Sequence, residues 1–232
     1  MHKHTIVPDS TAPSKADVPR APHPLIGAEF VIAAAEPSQF PAAGPAEIAF
    51  AGRSNAGKSS AINALAARNR LAFASRTPGR TQQIVFFRLR SGDYVADLPG
   101  YGYAAVPKAV KEIWQDFLWG YVTMRPTLVG LVAMVDSRRG LKDSDEALLQ
   151  GFLPSGRPVL VLATKIDKLT ATERRASLTG IRARIDTAFA AFAPAVQVIG
   201  FSVLRREGIE AAEQVIQGWL QESRIGGAPP QS

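Results

Sequence analysis

Residues Gly52-Arg53-Ser54-Asn55-Ala56-Gly57-Lys58-Ser59 spell G-x-x-x-x-G-K-S. The run lies between a mostly apolar stretch, Glu47-Ile48-Ala49-Phe50-Ala51, and a helix-forming one, Ser60 to Ala67. Strand, glycine loop and helix start in that order build an anion cradle. Backbone N–H groups and the positive end of the helix dipole converge on one point. Gly52 and Gly57 let the backbone turn tightly and approach a ligand closely. Lys58 has the reach for terminal phosphates, and the Ser59 hydroxyl is placed to ligate Mg²⁺. A plain glycine turn before a helix is the alternative, and the preceding strand argues against it. The motif does not choose a base, since such loops serve ATPases, kinases and GTPases alike.

Around this motif, strand-like runs alternate with helical patterns. Strands are expected at 46–51, 84–89, 93–97, 128–135, 158–163 and 196–201, and helices at 57–68, 108–122, 144–153, 171–191 and 207–222. The alternation predicts an α/β domain, a three-layer sandwich around a mostly parallel six-stranded sheet. Ile84–Leu89 and Tyr94–Leu98 are joined by a link too short for a crossover, so they form a hairpin, with one antiparallel edge strand. The remaining links hold helices and should be right-handed crossovers. Ligands in such sheets bind beyond the carboxyl ends of the strands, and each motif below, the polar segment 76–83 apart, follows a predicted strand end.

The chain of 232 residues accommodates one domain of about 25–223 between two polar tails. Residues 1–24 hold five prolines and all three histidines, and 224–232 is rich in Gly and Pro, so both ends read as disordered. A hydrophobic share of 46% supports a real core. The chain has no cysteine, which excludes a disulfide framework and suits the cytosol. No run approaches the roughly 18 apolar residues of a spanning helix, and the start lacks the apolar core of a signal peptide. A net charge of +7 favours polyanions such as nucleic acid or an anionic membrane, or reflects a generally basic composition.

Four further segments add chemistry. Asp97-Leu98-Pro99-Gly100 places a carboxylate where it can hold Mg²⁺ through water, and a glycine N–H where it can sense a γ-phosphate. Arg76-Thr77-Pro78-Gly79-Arg80-Thr81-Gln82-Gln83 is polar and turn-rich. Thr77 and Thr81 both qualify to complete a Mg²⁺ shell, and adjacency to the next strand favours Thr81. Thr164-Lys165-Ile166-Asp167 offers a carboxylate that can accept from guanine N1–H and its exocyclic amine, donors that adenine lacks. The stem of Lys165 can cover the base plane while its ammonium reaches the glycine loop. In Phe201-Ser202-Val203-Leu204-Arg205, Ser202 and neighbouring amides are candidates for guanine O6.

Taken together, G-R-S-N-A-G-K-S, T-P-G-R-T-Q, D-L-P-G-Y-G-Y-A, T-K-I-D and F-S-x-L resemble the EngB (YihA/YsxC) family of bacterial GTPases, in the TrmE–Era–EngA–EngB group. The likeness runs from about Ala28 to Leu220 and includes Ala35 to Pro41 and the turn Asp136-Ser137-Arg138-Arg139-Gly140-Leu141. It implies a Ras-like P-loop fold that binds GTP and GDP with Mg²⁺. Metal ligands would be Ser59 and Thr81. Phosphate and switch contacts would be Gly52, Arg53, Ser54, Asn55, Ala56, Gly57, Lys58, Ser59 and Ser60, then Gly79, Arg80, Thr81, Gln82 and Gln83, then Asp97, Leu98, Pro99 and Gly100. Base contacts would be Thr164, Lys165, Ile166, Asp167, Phe201, Ser202 and Val203. The family is linked to late assembly of the large ribosomal subunit, hence rRNA and ribosomal proteins as partners, and to normal septation. Two positions depart from its F-S-S-L-K pattern: Val203 replaces a serine and Arg205 a lysine, which puts a side-chain hydrogen bond at 203 in doubt.

The position after D-x-P-G, where related GTPases carry a water-orienting glutamine, is Tyr101. Slow intrinsic hydrolysis is therefore expected, with Lys58 and Thr81 supplying positioning and charge. The resemblance implies that Asn55 helps to hold K⁺ near the β- and γ-phosphates; otherwise it only shapes the loop. Trp114, Phe117, Leu118 and Tyr121 recur at helical spacing and read as a core face. The pairs Arg138–Arg139, Arg174–Arg175 and Arg205–Arg206, with Arg182 and Arg184, contact RNA phosphates or are simply solvated. A GTP-gated scaffold in septation is the competing function, an ATP-dependent kinase a weaker one. No long heptad seam suggests an obligate dimer, so a monomer is expected.

Overall fold

The computed structural model describes residues 23–72, 83–101 and 108–225, and of 108–115 only the backbone. Seven strands form one sheet: β1 (Glu29–Ala34), β2 (Glu47–Gly52), β3 (Ile84–Arg88), β4 (Tyr94–Asp97), β5 (Leu128–Asp136), β6 (Val159–Thr164) and β7 (Val196–Phe201). Their spatial order is β1-β3-β4-β2-β5-β6-β7. From β4 through β7 all neighbours are parallel, and β3 alone runs against both of its partners. The expected hairpin is thus present, but its antiparallel strand does not end the sheet. β1, absent from the six expected strands, pairs outside it with a register shift between Phe30 and Ile32.

Among the described residues, five α-helices cover the faces: α1 (Lys58–Leu65), α2 (Lys108–Met124), α3 (Asp143–Phe152), α4 (Ala171–Ala188) and α5 (Ile209–Ile225). Successive side chains on a strand point to opposite faces, and the two cores divide that way. Ala49, Ala51, Leu131, Ala133, Val161 and Ala163 face α2, α3 and α4 through Leu118, Tyr121, Leu149, Phe152 and Ile185. Ile48, Phe50, Val132, Met134, Leu160 and Leu162 face α1 and α5 through Ile62, Leu65, Ile216 and Leu220. β2, β5 and β6 are covered on both sides, which explains their unbroken apolar sequences. The face read on α2 is seated accordingly, with Leu118 and Tyr121 buried and Phe117 partly so; the side chain of Trp114 lies outside the described residues.

The N-terminal end of the sheet is tied by a buried carboxylate. Glu47, fully inaccessible, accepts from Tyr121 Oη at 2.8 Å, Thr127 Oγ1 at 2.8 Å and the Arg125 guanidinium, with Nη2 at 2.5 Å. Arg125 also lies 5.3 Å over the Phe40 ring. A buried charge is tolerable only when paired and hydrogen-bonded on this scale. The opposite end, where β2, β4, β5, β6 and β7 terminate, is left for function. His23, expected in the N-terminal tail, places Nδ1 2.5 Å from Glu213 Oε2 of α5.

Candidate nucleotide-binding site

β2 delivers the glycine loop at its carboxyl end. Gly52 lies across from Met134, and a Cβ on it would fall 2.8 Å from the Met134 Cβ, so only glycine fits. The loop then turns through Asn55 (φ 65°) and Gly57 (φ 97°), both left-handed, before α1 begins at Lys58. Asparagine tolerates this region better than most residues. Among the described residues no side chain caps the helix start, whose first amides are left without partners in the helix. Ser59 and Ser60 occupy the first turn of α1.

β4, beside β2, ends at Asp97 with its carboxylate paired to the Lys58 ammonium, both largely buried. Burial pushes the Asp97 carboxyl above its ordinary value, and the neighbouring Lys58 counteracts this only in part. Leu98 N–H donates to Phe50 O at 2.9 Å, Pro99 is buried, and Gly100 rests against Ser54, whose Oγ would lie 3.2 Å from an added Cβ. Ser54 N–H donates to Tyr101 O at 3.1 Å, and Tyr101 N–H to Gly52 O at 3.3 Å. The D-L-P-G turn is thus a continuation of the sheet laid along the glycine loop.

Tyr101 faces away from that loop's concavity. Its hydroxyl donates to Asp145 Oδ1 at 2.9 Å inside the core. Burial, then the Asp145 charge, push the Tyr101 hydroxyl well above its usual value, and burial likewise raises Asp145. The tyrosine therefore stays neutral and donates its proton in a fixed direction.

β6 ends at Thr164, where two bonds fasten the next motif to the glycine loop. Thr164 Oγ1 donates to Ala56 O at 2.6 Å, and Lys165 Nζ donates to Asn55 O at 2.6 Å. Lys165 is itself left-handed (φ 60°). Strained non-glycine residues concentrate at functional sites, and here two of them, Asn55 and Lys165, are bonded to each other. Ile166 is buried and anchors the turn carrying Asp167. Ser202, at the end of β7, donates from Oγ to Asp167 Oδ1 at 2.7 Å and accepts from Arg205 N–H at 3.1 Å. The Ser202 hydrogen bond holds the Asp167 carboxyl below its ordinary value. Phe201 is buried beneath, and Val203 is exposed at the rim.

Sequence reasoning did not assign a role to Asp136. This residue closes β5, opposite Thr164, and its Oδ2 accepts from Lys165 Nζ at 2.9 Å. Burial alone would raise Asp136, but hydrogen bonds from Arg138 and Lys165 outweigh it and hold the carboxyl well below the usual range. A carboxylate ending the strand beside the T-K-I-D strand was the available signal.

Gly52 to Ser60, Asp97 to Gly100, Thr164 to Asp167 and Phe201 to Val203 are thus brought to one end of the sheet, linked by Lys58–Asp97, Thr164–Ala56, Lys165–Asn55 and Ser202–Asp167. Gln83 sits half-buried just before β3. Gly79, Arg80, Thr81 and Gln82, and Thr77, lie outside the described residues. Several basic side chains singled out for RNA are engaged within the chain: Arg138 with Asp136, Arg174 with Glu207, Arg182 with Asp186 and Arg184 with Glu146. No helix among the described residues is long and apolar enough to cross a membrane.

Residues 47–165 match a family model described as 50S ribosome-binding GTPase. A probable GTP-binding protein EngB of Azoarcus sp. (strain BH72) is 49% identical over 203 residues, 88% of this chain and 96% of that protein. One from Neisseria meningitidis serogroup B is 44% identical over 187 residues, 81% and 88% of the two chains. Among solved structures, the fold resembles a probable GTP-binding protein EngB with a TM-score of 0.59 at 22% identity, covering 76% of this chain and 99% of that one. It also resembles Era in complex with MgGDPNP and a 16S ribosomal RNA fragment, with a TM-score of 0.56 at 19% identity, covering 81% and 58%. With the glycine loop and the T-K-I-D turn fastened together at the strand ends, and at such identity over most of its length, the chain belongs to the EngB family of GTP-binding proteins and is a GTPase.

Proposed function

We propose that this GTPase is a nucleotide-controlled switch acting on the large ribosomal subunit or its precursor. The match of residues 47–165 to a family described as 50S ribosome-binding carries this reading. The geometry supports a switch. Gly100 rests on Ser54 and Tyr101 is bonded to Gly52 and Ser54, so whatever the glycine loop holds is felt at the start of the following segment. In such switches a terminal phosphate orders the flanking loops, and hydrolysis releases them.

The residues present suit a magnesium-bound guanine nucleotide. The Ser59 hydroxyl and the Asp97 carboxylate are hard oxygen donors beside an uncapped helix start, the donor type that Mg²⁺ takes. Ser59 and Thr81 would ligate the metal, which when bound would neutralise phosphate charge. Lys58 would exchange Asp97 for the terminal phosphates. Asp167, oriented by Ser202, would accept from guanine N1–H and the exocyclic amine, with the Val203 amide at O6. Because the Ser202 hydroxyl is committed to Asp167, its part is orientation rather than O6 contact.

Hydrolysis is slow in this account, because the Tyr101 hydroxyl is spent on Asp145 and no amide replaces it there. Asn55 is where a K⁺ role attaches; equal rates in K⁺ and Na⁺ would remove it. Sedimentation with large-subunit precursors tests the switch. Binding is expected with a non-hydrolysable GTP analogue and not with GDP, and weakening as salt rises. Equal sedimentation in both states would overturn the switch, and none in either would favour a septation scaffold.

A further inference from the structure

We propose that Asp136 is a positioning residue for nucleotide binding: with Arg138 it fixes the Lys165 side chain across the base-recognition loop before the nucleotide arrives. The proposal rests on the reading of Thr164 to Asp167 as the guanine-recognition turn. It adds to that turn a residue from a different strand.

The Asp136 carboxylate is saturated by two side chains. Oδ1 accepts from Arg138 Nε at 2.9 Å and from the Arg138 amide at 3.1 Å; Oδ2 accepts from Arg138 Nη2 at 2.6 Å and from Lys165 Nζ at 2.9 Å. The backbone beneath is equally fixed. Ser137 N–H donates to Thr164 O at 3.0 Å, Arg139 and Gly140 N–H return to Asp136 O, and Ser177 Oγ donates to Ser137 O at 2.7 Å. The carboxylate is therefore a stationary point, not a mobile surface group.

Lys165 needs such a point. A lysine side chain carries much rotamer freedom, and immobilising it on binding would subtract from affinity. Here the ammonium spans two acceptors, Asn55 O on the glycine loop and Asp136 Oδ2 on β5. With the ammonium held at two acceptors, the aliphatic stem is drawn toward the glycine loop before the nucleotide arrives. The Asn55 carbonyl alone is neutral and sits in a strained loop residue. Asp136 supplies the charge that keeps the ammonium there.

A double-mutant cycle on GDP affinity, measured by calorimetry on the full chain, tests this. Asp136→Asn is expected to weaken GDP by about tenfold. Lys165→Met is expected to weaken it at least as much, and the double variant to match Lys165→Met alone. Arg138→Ala alters an exposed side chain and should cost about threefold by the same route, again vanishing in the Lys165→Met background. Effects of Asp136→Asn or Arg138→Ala that persist undiminished in that background would overturn the proposal, as would unchanged affinity in Asp136→Asn. If Asp136→Asn does not fold, the Arg138→Ala cycle decides by the same criterion. Failure of the underlying reading looks different: the unaltered chain would then not prefer GDP to ADP.

Discussion

Asp167 and Ser202 show how a side chain is aimed. Alone, a carboxylate at a turn would rotate; the 2.7 Å bond from Ser202 Oγ holds Oδ1, and Oδ2 lies 3.7 Å from Lys168 Nζ. Asp167→Asn is expected to weaken GTP by about a hundredfold or more and to shift preference to xanthosine triphosphate, because an amide opposes the N1–H donor. Competition binding with the two nucleotides checks this. The Ser202 bond depresses the Asp167 carboxyl, so its charge is present above the ordinary carboxylate value and is lost only as pH falls through the lowered one. The ratio of GDP to ADP affinity should hence stay flat from about pH 8 down through about pH 4, where an ordinary aspartate would be half protonated. A ratio already halved at about pH 4 would mean that Ser202 does not protect the charge. T-K-I-D itself was legible in the sequence. The bond from Ser202 to Asp167 was not, because which hydroxyl meets which carboxylate depends on β6 lying beside β7.

Elements transmit what residues start. The turn after β4 is bonded to the glycine loop by its backbone and to α3 by Tyr101, so three elements meet in one side chain. Tyr101→Phe is expected to leave the GTP turnover rate within about threefold, since the hydroxyl faces Asp145, and to lower stability by about 1–2 kcal/mol through the stranded Asp145 acceptor. Turnover assays and urea melts separate the two effects; a large rate loss at unchanged stability would place the hydroxyl in the chemistry. Thr164→Val cuts the tie to Ala56 O and should weaken GDP several-fold, about 1 kcal/mol. The strand–loop–helix order was readable because the glycine spacing is local. β1 was not read as a strand, although Phe30 to Ala34 is an apolar run: it lies at a sheet edge with Phe30 and Val31 exposed, and its existence depends on β3 fifty or more residues away.

The whole molecule separates stability from function along the strand axis. At the amino end of β2, Glu47 holds Tyr121, Arg125 and Thr127; at the carboxyl end, Gly52 opens the nucleotide loop. Glu47→Ala would leave Arg125 buried without its partner, at a cost of about 3–5 kcal/mol. The folded fraction should still bind GDP normally, and calorimetry at low temperature checks that; a matching loss of affinity would show the two ends to be coupled. Arg125 is 78 residues from Glu47, so no local pattern announced the pair. The net charge of +7 was equally ambiguous, and the pairing of Arg138, Arg174, Arg182 and Arg184 within the chain shows why a count of charges does not locate an RNA surface.

Calorimetric titration of the full chain with GDP and, separately, ADP in Mg²⁺ is the most direct test of the arrangement at the strand ends. Saturable one-to-one heat is expected with GDP and none with ADP at the same concentrations. Equal heats from both, or none from GDP on folded protein, would contradict it.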